Sequence, residues 1–165
     1  MSQAAIREKH DGALDSRASV RLWLRLLSCT MAIETIVQRR LTERFGTSLA
    51  RFDVLAALER HPEGMTMSAL SRSLLMSNGN ATQLVQKLAR DGLVAIAPSP
   101  TDGRSSIVSL TGKGASDFEA LARCHHAWID DLLSGLPPGK RDSLYEGLGT
   151  LKASIAGAAQ EESPI

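Results

Sequence analysis

Residues 76–110 read M-S-N-G-N-A-T-Q-L-V-Q-K-L-A-R-D-G-L-V-A-I-A-P-S-P-T-D-G-R-S-S-I-V-S-L. Ser77 is a favourable helix N-cap, and apolar side chains recur after it at helical spacing. Segments 94–98 and 106–110 have the pattern of short strands, and a turn rich in proline and glycine joins them. The stretch therefore predicts an amphipathic helix that is followed directly by a two-stranded β-wing.

A shorter helical pattern precedes this helix at 67–74, where Thr66 is a suitable N-cap. Two short helices joined by a few residues have the spacing of a helix-turn-helix, although many α-hairpins share it. The wing that follows makes the pattern much more specific. We therefore predict a winged helix-turn-helix, whose second helix enters the major groove of double-stranded DNA.

Long helical patterns flank this unit on both sides. The predicted fold class is mostly α: a winged helix-turn-helix with a two-stranded β-wing and long N- and C-terminal dimerisation helices. The predicted organisation is a flexible N-terminal segment at 1–15, an N-terminal dimerisation helix at 16–46, the DNA-binding unit at 47–111, C-terminal dimerisation helices at 112–158 and a tail at 159–165.

The first long helix carries apolar residues over an arc wider than one neighbouring layer needs. Burial between two layers of its own domain would explain this arc, and so would contact with a second subunit. The second interpretation is favoured because the last helix carries a narrow apolar seam at four-three-four spacing, suited to packing on another helix. The seam consists of Leu144, Leu148, Leu151 and Ile155.

The composition excludes several classes of function. The chain has 165 residues, 43% hydrophobic and 22% charged, which is typical of a soluble globular domain. Aromatic residues make up 4%, too few for a surface that stacks on single-stranded bases. Two cysteines at no metal-binding spacing suit a reducing cytoplasm, and the sequence predicts no membrane span, metal or cofactor.

The net charge is only +1, but residues 68–113 contain five basic and two acidic side chains. On a helical wheel, the predicted DNA-entering helix buries Ala81, Val85 and Leu88 and presents an outward face rich in amides. Amide side chains can pair with adenine, whereas an ordinary solvated face more often carries Glu and Lys. We predict DNA contacts for Ser77, Asn78, Gly79, Asn80, Thr82, Gln83, Gln86, Lys87, Arg90, Asp102 and Arg104.

The last two of these residues belong to the predicted wing. Asp102 is close enough to Arg104 to orient its guanidinium, and an arginine on a loop tip suits the narrow, electronegative minor groove. An exposed ion pair of an ordinary hairpin would explain this pair equally well, but not the helix that precedes it.

The segments S-N-G-N-A-T-Q-L-V-Q-K-L-A-R-D-G-L-V, P-T-D-G-R and V-S-L-T-G-K-G, in this order, resemble the MarR family of bacterial transcription regulators. The resemblance implies a homodimer that reads a palindromic site through two winged lobes and usually represses genes. It aligns Asp102 and Arg104 with the family's wing motif, whereas Gly103 stands where many members carry a second basic residue.

The resemblance also implies that a small ligand, often aromatic, enters a cleft beside the dimerisation helices and releases the DNA. An aromatic carboxylate or an aryl-CoA thioester is the expected effector, and activation instead of repression is equally compatible with the sequence. The residues expected at this cleft are Trp23, Leu26, Leu27, Thr30, Phe52 and Leu55.

Three alternatives compete with this interpretation. Cys29 could sense oxidants, but its place on an apolar helical stripe favours a buried structural cysteine. A winged-helix module that binds protein would favour an acidic or apolar outward face, which this helix lacks. An enzyme is disfavoured because no nucleophile elbow, phosphate loop or metal-ligand spacing is present, and adjacent Cys124, His125 and His126 diverge on a helix.

Overall fold

The computed structural model describes residues 17–100 and 105–161, with side chains as far as residue 158. The described residues form two compact units, 17–127 and 128–161. The elements are α1 (Ala18–Phe45), α2 (Leu49–Glu59), β1 (Met65–Thr66), α3 (Met67–Ser73), α4 (Asn78–Arg90), β2 (Val94–Pro98), β3 (Ser106–Leu110), α5 (Gly112–Leu133) and α6 (Pro138–Glu161). The mostly α winged-helix fold class is confirmed.

Helix α1 ends where its sequence predicts, because Gly46 adopts the left-handed conformation with φ 62° and its N–H donates to Thr42 at 3.0 Å. Its buried residues are Ser28, Val37 and Leu41. Cys29 is exposed, so the expectation of a buried structural cysteine was wrong for this chain. In that turn of the helix it is Ser28 that faces inward, with its hydroxyl donating to the Leu24 carbonyl at 2.8 Å.

Helix α2 carries the centre of the core. Ser48 caps the helix by accepting a hydrogen bond from the Arg51 N–H, and the Gln38 side chain accepts one from the Leu49 N–H at 2.8 Å, which joins α1 to α2. Val54, Leu55 and Leu58 are among the largest fully buried side chains. Each leucine of this type contributes on the order of 2 kcal/mol by leaving water.

The wing belongs to a sheet of three strands, because β1 pairs with β3 in addition to the predicted β2–β3 hairpin. The register places Met65 opposite Val108. Gly64 precedes β1 with φ +84°, and a Cβ at this position would lie 2.6 Å from the Ile107 Cγ2. Only glycine allows the chain to approach β3 this closely.

Helix α5 begins in contact with the residue that follows the recognition-helix region. Thr111 accepts a hydrogen bond from the Gly114 N–H at 2.9 Å, as an N-cap does, while its hydroxyl donates to the Gly92 carbonyl at 2.7 Å. A Cβ on Gly114 would lie 1.9 Å from the Leu93 carbonyl oxygen. The backbones of α5 and of residue 93 are therefore in direct contact.

The second unit contains α6, which begins at Pro138, two residues before the predicted start at residue 140. Proline suits the first turn of a helix because its missing N–H would have no intrahelical partner there. Between residues 138 and 158 every side chain is exposed except Leu151, which is half-buried. Across the described ranges, no helix is both long and apolar enough to traverse a bilayer.

Candidate nucleic-acid interface

Helices α3 and α4 form a helix-turn-helix in which each helix has a side-chain cap. Thr66 accepts from the Ala69 N–H at 3.2 Å, and Ser77 accepts from the Asn80 N–H at 3.3 Å, as the sequence predicts. The buried Ser71 hydroxyl of α3 donates to the side-chain oxygen of Asn78. This bond fixes the start of α4 against α3.

The two faces of α4 are those that the helical wheel predicts. Ala81, Val85 and Leu88 are buried, with at most 1% of each side chain exposed. The outward side contains no acidic residue. Its exposed members are Ser77, Asn78, Gly79, Asn80, Gln83, Gln86, Lys87 and Arg90.

Thr82 differs slightly from these residues, because it is half-buried and its hydroxyl donates to the Asn78 carbonyl at 2.8 Å. Asn78 is also partly engaged, since its side-chain oxygen accepts from Ser71. The free surface of α4 therefore consists mainly of amides at Asn80, Gln83 and Gln86, with two cations near the C-terminal end.

The wing is joined at its base by the five-residue pairing of β2 with β3, and the Ser99 N–H donates to the Ser105 carbonyl at 2.9 Å. The predicted groove residues Asp102 and Arg104 lie outside the described residues. Their roles remain predictions from the sequence.

An ion pair that the sequence analysis missed lies at the end of α4. The Arg51 Nη2 of α2 donates to the Asp91 Oδ2 at 2.5 Å, and Asp91 is the C-cap residue of α4. This hydrogen bond, together with the positive charge of Arg51, lowers the pKa of the Asp91 carboxyl. The partners are 40 residues apart in sequence, and no local pattern indicates such a pair.

A cavity of about 540 Å³ lies beside this ion pair. It combines an apolar part with the guanidinium groups of Arg51 and Arg123, and its size is within the range of small-ligand sites. The residues that line it are Phe45, Gly46, Thr47, Arg51, Leu55, Leu93, Ser116, Asp117, Glu119, Ala120, Leu121 and Arg123.

Only one residue of the predicted ligand cleft, Leu55, lines this cavity. Trp23 is 59% exposed, and Thr30 is also exposed. Leu26 and Leu27 are half-buried on α1. The structure thus does not gather the predicted cleft residues around this cavity, since most of them lie on turns of α1 that precede Phe45.

Phe52, the remaining residue of the predicted cleft, is buried and packs on α5. Its ring centroid lies 5.5 Å from that of Phe118 and 4.4 Å from that of His125, which it stacks on. Burial lowers the pKa of His125, with a smaller contribution from His126. His125 is therefore a core side chain, and within the described ranges no three His, Cys, Asp or Glu side chains form a metal-ligand group.

Comparison with known proteins identifies the same elements elsewhere. A model of the MarR family matches residues 45–105. The transcriptional activatory protein BadR of Rhodopseudomonas palustris is 34% identical over 117 residues, which cover 68% of this chain and 66% of that protein. A crystal structure of a MarR family transcriptional regulator from Silicibacter pomeroyi is 30% identical and superposes with a TM-score of 0.72, covering 83% of this chain and 94% of that one.

A third similarity is to Sco3205, a MarR family regulator from Streptomyces coelicolor whose crystal structure is a complex with DNA. The TM-score is 0.77 at 18% identity, and the match covers 88% of this chain and 92% of that chain. At this identity the similarity shows the shared fold.

Proposed function

Because this chain belongs to the MarR family of winged helix-turn-helix transcriptional regulators, we propose that it is a cytoplasmic homodimeric repressor, released from a palindromic operator by a small ligand. Members of this family are transcriptional regulators and not enzymes, which confirms the prediction that the chain is not an enzyme. The observation that carries the proposal is the exposed face of α4, which is rich in amides and free of acidic residues.

This face has the chemistry needed to read base edges. Gln83 and Gln86 are exposed one turn apart, and each amide offers a donor and an acceptor that match the edge of adenine in the major groove. Lys87 and Arg90 lie in the last turn, where positive charge suits phosphate or guanine. Arg104 on the wing would add a contact in the minor groove.

We expect the wild-type protein to enrich a palindrome from a random-sequence DNA library. Gln83→Ala should change the preferred base at one position of each half-site, at a discrimination of about 1–3 kcal/mol. Arg104→Ala should weaken binding to all sequences and lower the salt dependence by about one ion per contact. Fluorescence anisotropy at several salt concentrations measures both effects.

Arg60→Ala is the matched control, because Arg60 is an exposed cation at the end of α2 and outside the predicted interface. It should leave both affinity and sequence preference unchanged. A wild-type protein without preference for any sequence at physiological salt would refute the operator proposal.

The proposed homodimer follows from apolar side chains that a single chain leaves in water. In α6, the seam residues Leu144, Leu148 and Ile155 are exposed by 41–59%. In α1, Leu22, Trp23 and Met31 are also exposed. Large apolar surfaces of this kind are typical of interfaces between subunits.

Leu148→Arg is expected to convert the dimer into monomers at micromolar concentration, because the seam would then bring together two uncompensated charges. Sedimentation velocity measures the change. Thr150→Arg is the matched control, since Thr150 is exposed and two residues away on a different face of α6. A wild-type monomer at this concentration would overturn the proposal.

The proposed ligand site is the cavity beside Arg51, in place of the cleft expected from the sequence. A carboxylate in this cavity would accept hydrogen bonds from the same guanidinium that holds Asp91. Ligand binding would then weaken the link between α2 and the end of α4, and it would favour a form with a less firmly held recognition helix.

A further inference from the structure

The turn between α3 and α4 contains an unusual residue. Leu75 has φ 52°, and across residues 17–100 and 105–161 no other non-glycine residue has a positive φ. The Leu75 N–H donates to the Arg72 carbonyl at 3.2 Å, and the Met76 N–H donates to the Ser71 carbonyl at 3.1 Å. These two bonds form a Schellman motif, in which Leu75 occupies the position that glycine normally takes.

Leucine is a costly choice at this position. In the left-handed conformation a Cβ comes too close to the following carbonyl oxygen, which glycine avoids. Packing does not compensate for this strain, because 95% of Leu75 is exposed. The side chain therefore gains nothing from the fold of this chain, and its contribution must come from a contact outside it.

The position of Leu75 indicates which contact this is. The residue lies two positions before Ser77, the N-cap of α4, and the first turn of α4 at 78–80 is exposed. In a helix-turn-helix, the N-terminal end of the second helix meets the base edges in the major groove. The thymine C5-methyl is the apolar group that bases display in this groove.

We propose that Leu75 is a specificity-determining residue that contacts the C5-methyl group of a thymine in each half-site. The proposal rests on the proposed binding of α4 to DNA. It explains why a strained and exposed leucine stands at the end of α3, where glycine would satisfy the same two hydrogen bonds.

The test uses the duplex that the wild-type protein selects from a random library, with each thymine replaced in turn by deoxyuridine, which lacks only the methyl group. At one symmetric pair of positions, this replacement should lower the wild-type affinity by about 4-fold per half-site, the equivalent of one buried methyl group. Leu75→Ala should show a similar loss on the thymine duplex and no further loss on the deoxyuridine duplex. Leu75→Met should retain the response to the methyl group.

Leu75→Gly separates the contact from the fold. It should bind the thymine duplex as weakly as Leu75→Ala, while its Tm is equal to or above that of the wild type, because glycine removes the strain. If the wild type selects an operator but no thymine replacement distinguishes it from Leu75→Ala, the inference fails and the DNA-binding proposal stands. If Leu75→Ala instead disrupts the dimer in sedimentation, Leu75 contacts a second copy of the chain and the inference is also overturned.

Discussion

Replacing Gly114 by alanine is expected to destabilise the protein by about 3 kcal/mol or more, the upper range for overpacking. The added Cβ would lie 1.9 Å from the Leu93 carbonyl oxygen and 2.9 Å from the Leu93 carbonyl carbon. Both clashing groups are backbone, so no side chain can rotate away. The Leu93 carbonyl also accepts the Thr111 N–H at 3.1 Å, and moving α5 outward would break this bond.

Urea denaturation followed by circular dichroism measures the loss of stability. Gly112→Ala is the matched control, because Gly112 begins the same helix and a Cβ there would meet no atom within 4 Å. The control should have a midpoint at or slightly above that of the wild type, since alanine favours the helix. Equal midpoints for both variants would contradict the close contact between α5 and residue 93.

Binding of a substituted benzoate in the cavity beside Arg51 is expected to raise the Tm by about 5–10 °C at 100 times its Kd. This corresponds to about 2.7 kcal/mol of linkage, converted for a chain of this length. The same compound should release the selected DNA duplex. A panel of benzoates in thermal-shift and anisotropy assays measures both effects.

Three variants test whether the cavity and Arg51 carry this response. Ala120→Trp should fill the cavity and abolish the thermal shift. Arg51→Ala should remove the preference for carboxylates over the corresponding amides. Asp91→Asn should bind benzoates more tightly than the wild type, because it weakens the competitor for the Arg51 guanidinium. Unchanged binding in all three variants would place the ligand elsewhere.

The features that sequence analysis predicted correctly depend on neighbouring residues. Ser77 caps α4, Gly46 ends α1 in the left-handed conformation, and the apolar spacing of α4 identifies its buried face. Each of these signals lies within one or two helical turns. They were sufficient to predict the winged helix-turn-helix and the family, and the comparisons confirm both.

The features that the sequence analysis missed depend on contacts between distant segments. The pairing of β1 with β3 joins residues about 40 positions apart, as does the ion pair of Arg51 with Asp91. The cavity combines the end of α1 with α2 and α5, so its lining could not be read from any single helix. Leu75 was expected to face inward, but its left-handed backbone turns the side chain into solvent.

The central position of β3 has a consequence for how such a regulator can diverge. The wing starts from the middle strand of the sheet, and main-chain hydrogen bonds to β1 and β2 hold its base. These bonds do not depend on side-chain identity, and exposed residues such as Gln83 and Gln86 contribute nothing to the core. A duplicated gene can therefore acquire a new operator through substitutions on α4 while the frame that positions helix and wing stays intact.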